Sequence, residues 1–408
     1  MSALLDSGAA PAWDSVRRPI RLLTFSTLYP HAARPNHGVF VENRLRHLVA
    51  GGEAESITLA PVPWTPMPWR GFRNATPAEE IRHGLRVLHP PFLAVPGLGL
   101  LTTPTSLYAA ARPALARLLA EGCVFDAIDG HYLYPDGVVA LRLGREFGLP
   151  VVLTARGSDV SQLPDHWPAR GAILRAIRDA DALIAVSQGL KDGLVALGAS
   201  AARVTVLRNG VDLDAFRPPG DRAATRAALG LGDGPALLSV GHLIERKGHD
   251  RIIAALPSLP GHGLLIVGDG PDRAALGALA ERLGVADRVR FEGPRPHAAL
   301  PTYYGAADAL ILASSREGWA NVLLEAMACG TPAIASPAWG SREAVRAPEA
   351  GLVLPDASPE AIAAGVRQLL ANPPNRAATR AYAEGFGWEA TTQGQLAVFR
   401  KVLNEASR

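Results

Sequence analysis

The chain has 408 residues, 48% hydrophobic and 19% charged, more than one hydrophobic core accommodates and suited to two domains, which excludes disorder over most of its length. Two cysteines, Cys123 and Cys329, exclude a disulfide framework and a cysteine-built zinc or iron–sulfur site and point to a reducing compartment. Net charge is +3, yet residues 15–120 hold 12 arginines against five glutamates and no aspartate. That basic segment suits an anionic membrane surface or a polyanionic acceptor, and equally a solvated arginine face.

Residues 1–18 carry Asp6 and Asp14 and no basic residue before an apolar run, so a disordered leader is expected rather than a signal peptide. Strands are predicted at 20–26, 56–60, 127–129, 151–154, 182–186 and 204–207, then at 236–240, 263–267, 289–292, 309–313, 331–335 and 351–354. Helical patterns separate them, so the chain reads as α/β, with two doubly wound parallel sheets of crossover units. The apolar stretch 90–111 is interrupted by Pro96, Gly97, Gly99 and Pro104, which would leave backbone groups unpaired in lipid, and no transmembrane helix is predicted. Domains are expected at 19–208 and 209–378, divided where Asn209-Gly210 runs toward Pro218-Pro219-Gly220. A last helical segment, 379–408, contains Trp388, Phe399 and Val402 and is expected to cross back to the first domain. Open parallel sheets bind ligands outside the carboxyl ends of their strands, which directs attention to a cleft that the two domains would face.

The most informative string runs from Ser314 through Glu317, Asn321 and Glu325 to Gly330. Asn321 reads as an N-cap and Gly330 as the residue that stops the helix. The N–H groups of Val322 and Leu323 would then meet an anion at the positive end of the helix dipole. A carboxylate on each side, Glu317 and Glu325, can accept hydrogen bonds from sugar hydroxyls; the alternative is a capped surface helix.

Glu317 and Glu325 match the E-x7-E motif of retaining glycosyltransferases, and the string resembles glycosyltransferase family 4, which has the GT-B fold of two Rossmann-like domains. Ala180 to Ser187, Asn209-Gly210-Val211-Asp212, Gly268-Asp269-Gly270-Pro271 and Phe386-Gly387-Trp388 fall where that family places similar strings. The resemblance implies an N-terminal acceptor domain and a C-terminal nucleotide-sugar donor domain. It implies that Glu325 binds the donor ribose and that Glu317 meets the transferred sugar beside its leaving phosphate. Gly268, Arg295 and residues Asn321, Val322 and Leu323 are further donor contacts by the same resemblance.

Strand 236–240 runs into Gly241, followed by Arg246 and Lys247, the latter one of three lysines among 41 basic residues. Fixed cations there would meet the charge that develops on a departing phosphate; a solvated turn is the alternative. The family usually has arginine straight after this glycine, and His242 stands in its place, so Arg246 is expected to substitute. Gly38, after the first strand and before a helix at 41–49, matches the family's N-domain donor loop, where glycine lets phosphate approach backbone N–H groups. His131 follows the third strand of the first domain; the resemblance implies that it faces the donor sugar, whereas a buried structural histidine is the alternative. In Thr154-Ala155-Arg156-Gly157-Ser158-Asp159 arginine replaces the family's usual histidine, so Arg156 and Asp159 are expected to bind the acceptor.

Asp179-Ala180-Asp181 and Asp212-Leu213-Asp214 would hold a metal only in a glycosyltransferase of the other fold. The expected activity is therefore a retaining, metal-independent, cofactor-free sugar transfer from a nucleotide-diphosphate sugar to a glycan or lipid-linked acceptor in envelope synthesis. The expected place is the cytoplasm, with peripheral attachment to the inner membrane face and no nucleic-acid partner. The other readings are a nucleotide-sugar epimerase of related two-domain fold and a donor-binding protein without turnover.

Overall fold

In the computed structural model, which describes residues 18–64 and 76–407, the chain forms two units, 1–185 with 191–207 and 392–408, and 186–190 with 208–391. The leader expected at 1–18 lies outside the described residues except for Arg18, which donates from Nη1 to Asp126 at 2.9 Å.

The first unit contains β1 (Ile20–Phe25), α1 (Val39–Ala50), β2 (Ala54–Leu59), β3 (Val62–Trp64), β4 (Glu79–Arg82), β5 (Leu85–Leu88), β6 (Pro91–Leu93) and α2 (Gly99–Ala120). It continues with β7 (Ala127–His131), α3 (Val138–Phe147), β8 (Val151–Ala155), α4 (Ser158–Ser161), α5 (Ala169–Asp179), β9 (Ala182–Ala185), α6 (Gln188–Ala196, of which residues 188–190 belong to the second unit) and β10 (Val204–Val206). Its sheet has the order β10-β9-β8-β7-β1-β2-β5-β4 and is parallel except for the β4–β5 pair. Every residue of β7 and β8 is buried, as strands covered on both faces by crossover helices must be. The strand order reverses between β1 and β7, and that topological switch opens a crevice at their carboxyl ends.

The interrupted stretch is where the structure departs most from sequence expectation, because α2 runs straight through Pro104 and Pro113. A proline at 104 cannot donate to the Leu100 carbonyl, and the Tyr134 hydroxyl takes that carbonyl instead. No helix among the described residues is long and apolar enough to cross a membrane.

The second unit comprises α7 (Arg222–Ala228), β11 (Ala236–Val240), α8 (His249–Ala255), β12 (Gly263–Val267), α9 (Arg273–Arg282), β13 (Val289–Gly293), α10 (Leu300–Ala306) and β14 (Ala309–Leu312). After these come α11 (Asn321–Ala328), β15 (Ala333–Ala335), α12 (Trp339–Ala344), β16 (Gly351–Val353), α13 (Pro359–Ala371) and α14 (Arg376–Glu384). The sheet order β13-β12-β11-β14-β15-β16 is parallel at every pairing and reverses between β11 and β14. Leu237, Ile266, Ile311 and Ile334 from the strands pack with Ile252, Ile253, Ile362 and Val366 from the helices as its core.

Residues 379–408 are not one segment. α14 closes at Gly385 and belongs to the second unit. A new helix, α15 (Glu389–Ala406), places Leu396, Phe399, Val402 and Leu403 in the first unit's core with Ile20, Leu45 and Leu48.

Candidate active site

The second unit gathers its chemistry at the carboxyl ends of β11 and β14. The loops after β11 and β12 touch backbone to backbone: a Cβ at Gly268 (φ 146°) would lie 1.9 Å from the Gly241 carbonyl oxygen, so only glycine fits. Leu243 N–H donates to Asp269 O at 2.9 Å, and His242 Nδ1 donates to the same carbonyl at 2.5 Å. The turn Glu245–Lys247 is laced to the loop after β14, because Ser315 N–H donates to Arg246 O at 2.9 Å and Arg246 Nη1 to Arg316 O at 2.9 Å. Lys247 Nζ reaches Glu317 Oε1 at 2.6 Å, with Arg246 at 3.9 Å. Burial works to raise the Glu317 carboxyl pKa, but the charge and hydrogen bond of Lys247, helped by Arg246, hold it below the usual range.

Glu325 stands in the second turn of α11, 8% exposed. Its Oε1 accepts from His297 Nε2 at 3.0 Å and its Oε2 from the Tyr304 hydroxyl at 2.7 Å. Asn321 does not cap α11: Ala320 occupies the N-cap position, and Asn321 Oδ1 accepts from Asn209 Nδ2 at 3.3 Å. Leu323 N–H bonds to Ala320 O at 3.1 Å, so one of the two N–H groups expected to meet an anion is already engaged. Arg295 donates to Glu292 at 3.2 Å and lies over the Tyr303 ring. His249, which sequence reasoning passed over, is buried beside Ser239 at 3.0 Å. Burial, then Lys247, lowers its imidazole pKa to about 4.

In the first unit the chemistry lies at the ends of β1, β7 and β8. His131 is fully buried, and both its nitrogens are engaged: Nε2 donates to Asp129 Oδ2 at 3.1 Å, and Nδ1 accepts from Arg156 Nη2 at 2.6 Å. Burial lowers its pKa to about 4, with Arg156 acting the same way against the pull of Asp129, so the ring is neutral. Asp129 Oδ2 also accepts from Gln395 of α15 at 3.2 Å. Gln395 Oε1 in turn accepts from Arg44 Nε at 2.7 Å.

The geometry revises the expectation that Arg156 and Asp159 reach out to an acceptor. Arg156 is buried against His131 and the Phe40 ring. Asp159 accepts the backbone N–H groups of Leu133, Arg156 and Gly157 at 3.0, 3.1 and 2.7 Å. Gly38, at φ 70°, begins α1, and a Cβ there would fall 2.2 Å from the Leu28 carbonyl carbon. Close packing therefore already requires glycine at this position.

The aspartate pairs are occupied locally. Asp181 accepts Val151 N–H at 2.7 Å, Asp179 pairs with Arg178 at 2.8 Å, and Asp212 accepts the N–H groups of Asp214 and Ala215 at 3.1 and 2.9 Å. Among the described residues no group of three or more His, Cys, Asp and Glu side chains is placed to hold a metal ion.

Residues 56–215 match the family described as Glycosyltransferase Family 4, and residues 221–386 match Glycosyl transferases group 1. The chain is 31% identical over 427 residues to D-inositol 3-phosphate glycosyltransferase 1 of Catenulispora acidiphila, an alignment spanning 94% of this chain and 96% of the relative. It is 33% identical over 332 residues to the D-inositol 3-phosphate glycosyltransferase of Mycobacterium tuberculosis, spanning 76% and 68%. Among solved structures, sucrose-phosphate synthase from Thermosynechococcus elongatus has the same fold at a TM-score of 0.77 and 24% identity, over 94% of this chain and 99% of that one. Anabaena HepE in complex with UDP does so at 0.70 and 21%, over 93% and 98%.

Proposed function

Because the chain belongs to glycosyltransferase family 4 and has the GT-B fold, we propose that it transfers a sugar from a nucleotide-diphosphate donor to an acceptor hydroxyl with retention at the anomeric carbon. The observation that carries this reading is the cluster at the β11–β14 switch. Glu317 is poised by Lys247 beside the glycine loops, and Glu325 stands further along α11 with capacity left to accept from a diol. In this reading Glu325 binds the ribose, Glu317 meets the transferred sugar, and Lys247 with Arg246 receives the diphosphate.

The acceptor oxygen forms a bond to the anomeric carbon as the carbon–oxygen bond to phosphate breaks, on the same face of the sugar. The departing phosphate takes the acceptor proton while the two cations stabilise its growing charge. His131 is given no proton to move, since Asp129 and Arg156 occupy its two nitrogens. No metal is required where Lys247 and Arg246 supply the positive charge.

The acceptor is a glycan or lipid-linked molecule of envelope synthesis, met at an anionic membrane face. That reading is supported by the arginine-rich first unit and by the exposed side chains of Trp64, Leu93, Leu98 and Leu101. Arg70 and Arg73 of the basic segment 15–120 lie outside the described residues. A second reading, a soluble polyol phosphate, is favoured by the names of the relatives at 31% and 33% identity.

A thermal-shift screen of UDP-, GDP- and ADP-sugars finds the donor. The anomeric configuration of the product, read by NMR with lipid-linked and polyol-phosphate acceptors in parallel, tests the rest. An inverted product, or isomerised sugar formed without acceptor, would defeat the reading.

A further inference from the structure

We propose that His297 is a positioning residue for Glu325, setting its carboxylate to receive the vicinal diol of a ribonucleotide; this rests on the reading of Glu325 as the ribose ligand. A glutamate side chain turns about three bonds, and ordering it has an entropic cost that only fixed partners remove in advance. Two such partners are present, and they differ. Tyr304 is wholly buried on α10 and holds Oε2. Burial beside Glu325 raises its hydroxyl pKa well above the usual value, so it keeps its proton and donates it to the carboxylate.

His297 lies in the turn after β13, about a third of its side chain exposed, and holds Oε1 through Nε2. Phe216 packs edge-on to the His297 ring at 5.0 Å and tilted against Tyr304 at 6.0 Å, so one aromatic ring sets the planes of both donors. A carboxylate has about four acceptor positions. The two donors use one on each oxygen, leaving one on each for the adjacent hydroxyls of a cis-diol. His297 is the more accessible of the two partners, and by holding Oε1 it fixes which acceptor positions of the carboxylate remain for a ligand.

The test is titration calorimetry of the full chain with whichever of UDP, GDP and ADP binds, against its 2′-deoxy counterpart. The wild type should favour the ribonucleotide by roughly tenfold or more, as expected for one hydrogen bond to a charged group. His297→Ala should reduce that preference several-fold and leave deoxynucleotide affinity within about twofold, since the diol contact is what it loses. His297→Gln, whose amide Nε2 can donate from nearly the same place, should restore the preference. His297→Asn is the second deletion variant should alanine fail to fold. An unchanged ribo-to-deoxy ratio in the deletion variants, or equal loss for both nucleotides, overturns the positioning role. A wild type that does not discriminate overturns the ribose assignment of Glu325 itself, and the proposal with it.

Discussion

Asp136 holds Thr27 at two points, accepting its hydroxyl at 3.0 Å and its backbone N–H while fully buried. This pair fastens the loop after β1 to the turn after β7, across the switch point of the first sheet. Burial raises the Asp136 carboxyl pKa to about 7, against the opposing pull of the Thr27 bonds and with nearby Asp159 adding to the rise. An unfolded aspartate titrates near about 3.9. Between the two values the folded state keeps a proton that the unfolded state has lost, so this group makes stability fall as pH rises toward 7 and contributes no slope above it. Asp136→Asn should therefore gain on the wild type by a few kcal/mol (order of magnitude) between about pH 4.5 and 7.5 in urea denaturation. Parallel curves for the two proteins would show that Asp136 is not so shifted.

Glu325→Gln should weaken nucleoside diphosphate binding by about 1.5–3 kcal/mol, the usual worth of hydrogen bonds to a charged group. Calorimetry measures this directly, and unchanged affinity would remove Glu325 from the donor site.

Lys247→Ala should lower kcat by about two orders of magnitude, as loss of a preorganised leaving-group donor does. It also leaves the Glu317 carboxylate with Arg246 at 3.9 Å in place of its 2.6 Å partner, at a cost of up to about 3–5 kcal/mol. Wild-type Glu317, with its depressed pKa, contributes stability above the unfolded value and loses it as pH falls through the folded one. Adding Glu317→Gln to the alanine variant should recover stability but not turnover, measured by melting and by steady-state rates. A double variant with full turnover would place the leaving-group charge elsewhere.

Activity should be unchanged by EDTA. Transfer abolished by the chelator and restored by Mn²⁺ would instead assign the positive charge to a metal rather than to Lys247 and Arg246.

Leu98→Glu with Leu101→Glu should reduce sedimentation with anionic vesicles at low salt, since both leucines are exposed at the start of α2. Each cation near such lipid contributes about 1 kcal/mol, so high salt should also release the protein. Failure of the wild type to bind anionic vesicles at low salt would leave the soluble acceptor.

The strands were legible because a buried parallel strand is a short apolar run between turn signals, as Val151–Ala155 and Ala309–Leu312 are. The ribbon formed by β3 and β6 and the neighbouring strands β4 and β5 were not, since Glu79, Glu80 and Arg82 give β4 the look of a solvated loop and β5 is only four residues long. α2 was hidden by its prolines, whose effect depends on Tyr134 arriving from elsewhere in the chain. Glu317, Lys247 and Glu325 could be named from spacing, because one loop and one helix carry them or lie against them. The partners that determine what those groups do could not: Arg156 comes to His131 across 25 positions and Gln395 to Asp129 across 266. His297 left a weak sign, an imidazole in the turn between β13 and α10.

The entry of α15 into the first unit's core makes that unit discontinuous in the chain. Its sheet closes with β10, yet Leu396, Phe399 and Gln395 emerge from the ribosome only after the whole second unit. At about 5–20 residues per second, Ile20, Leu45 and Leu48 must wait on the order of ten seconds or more for their α15 neighbours, and Asp129 for its amide partner. The order of synthesis is thus inverted in the order of completion, and the unit begun first is finished last.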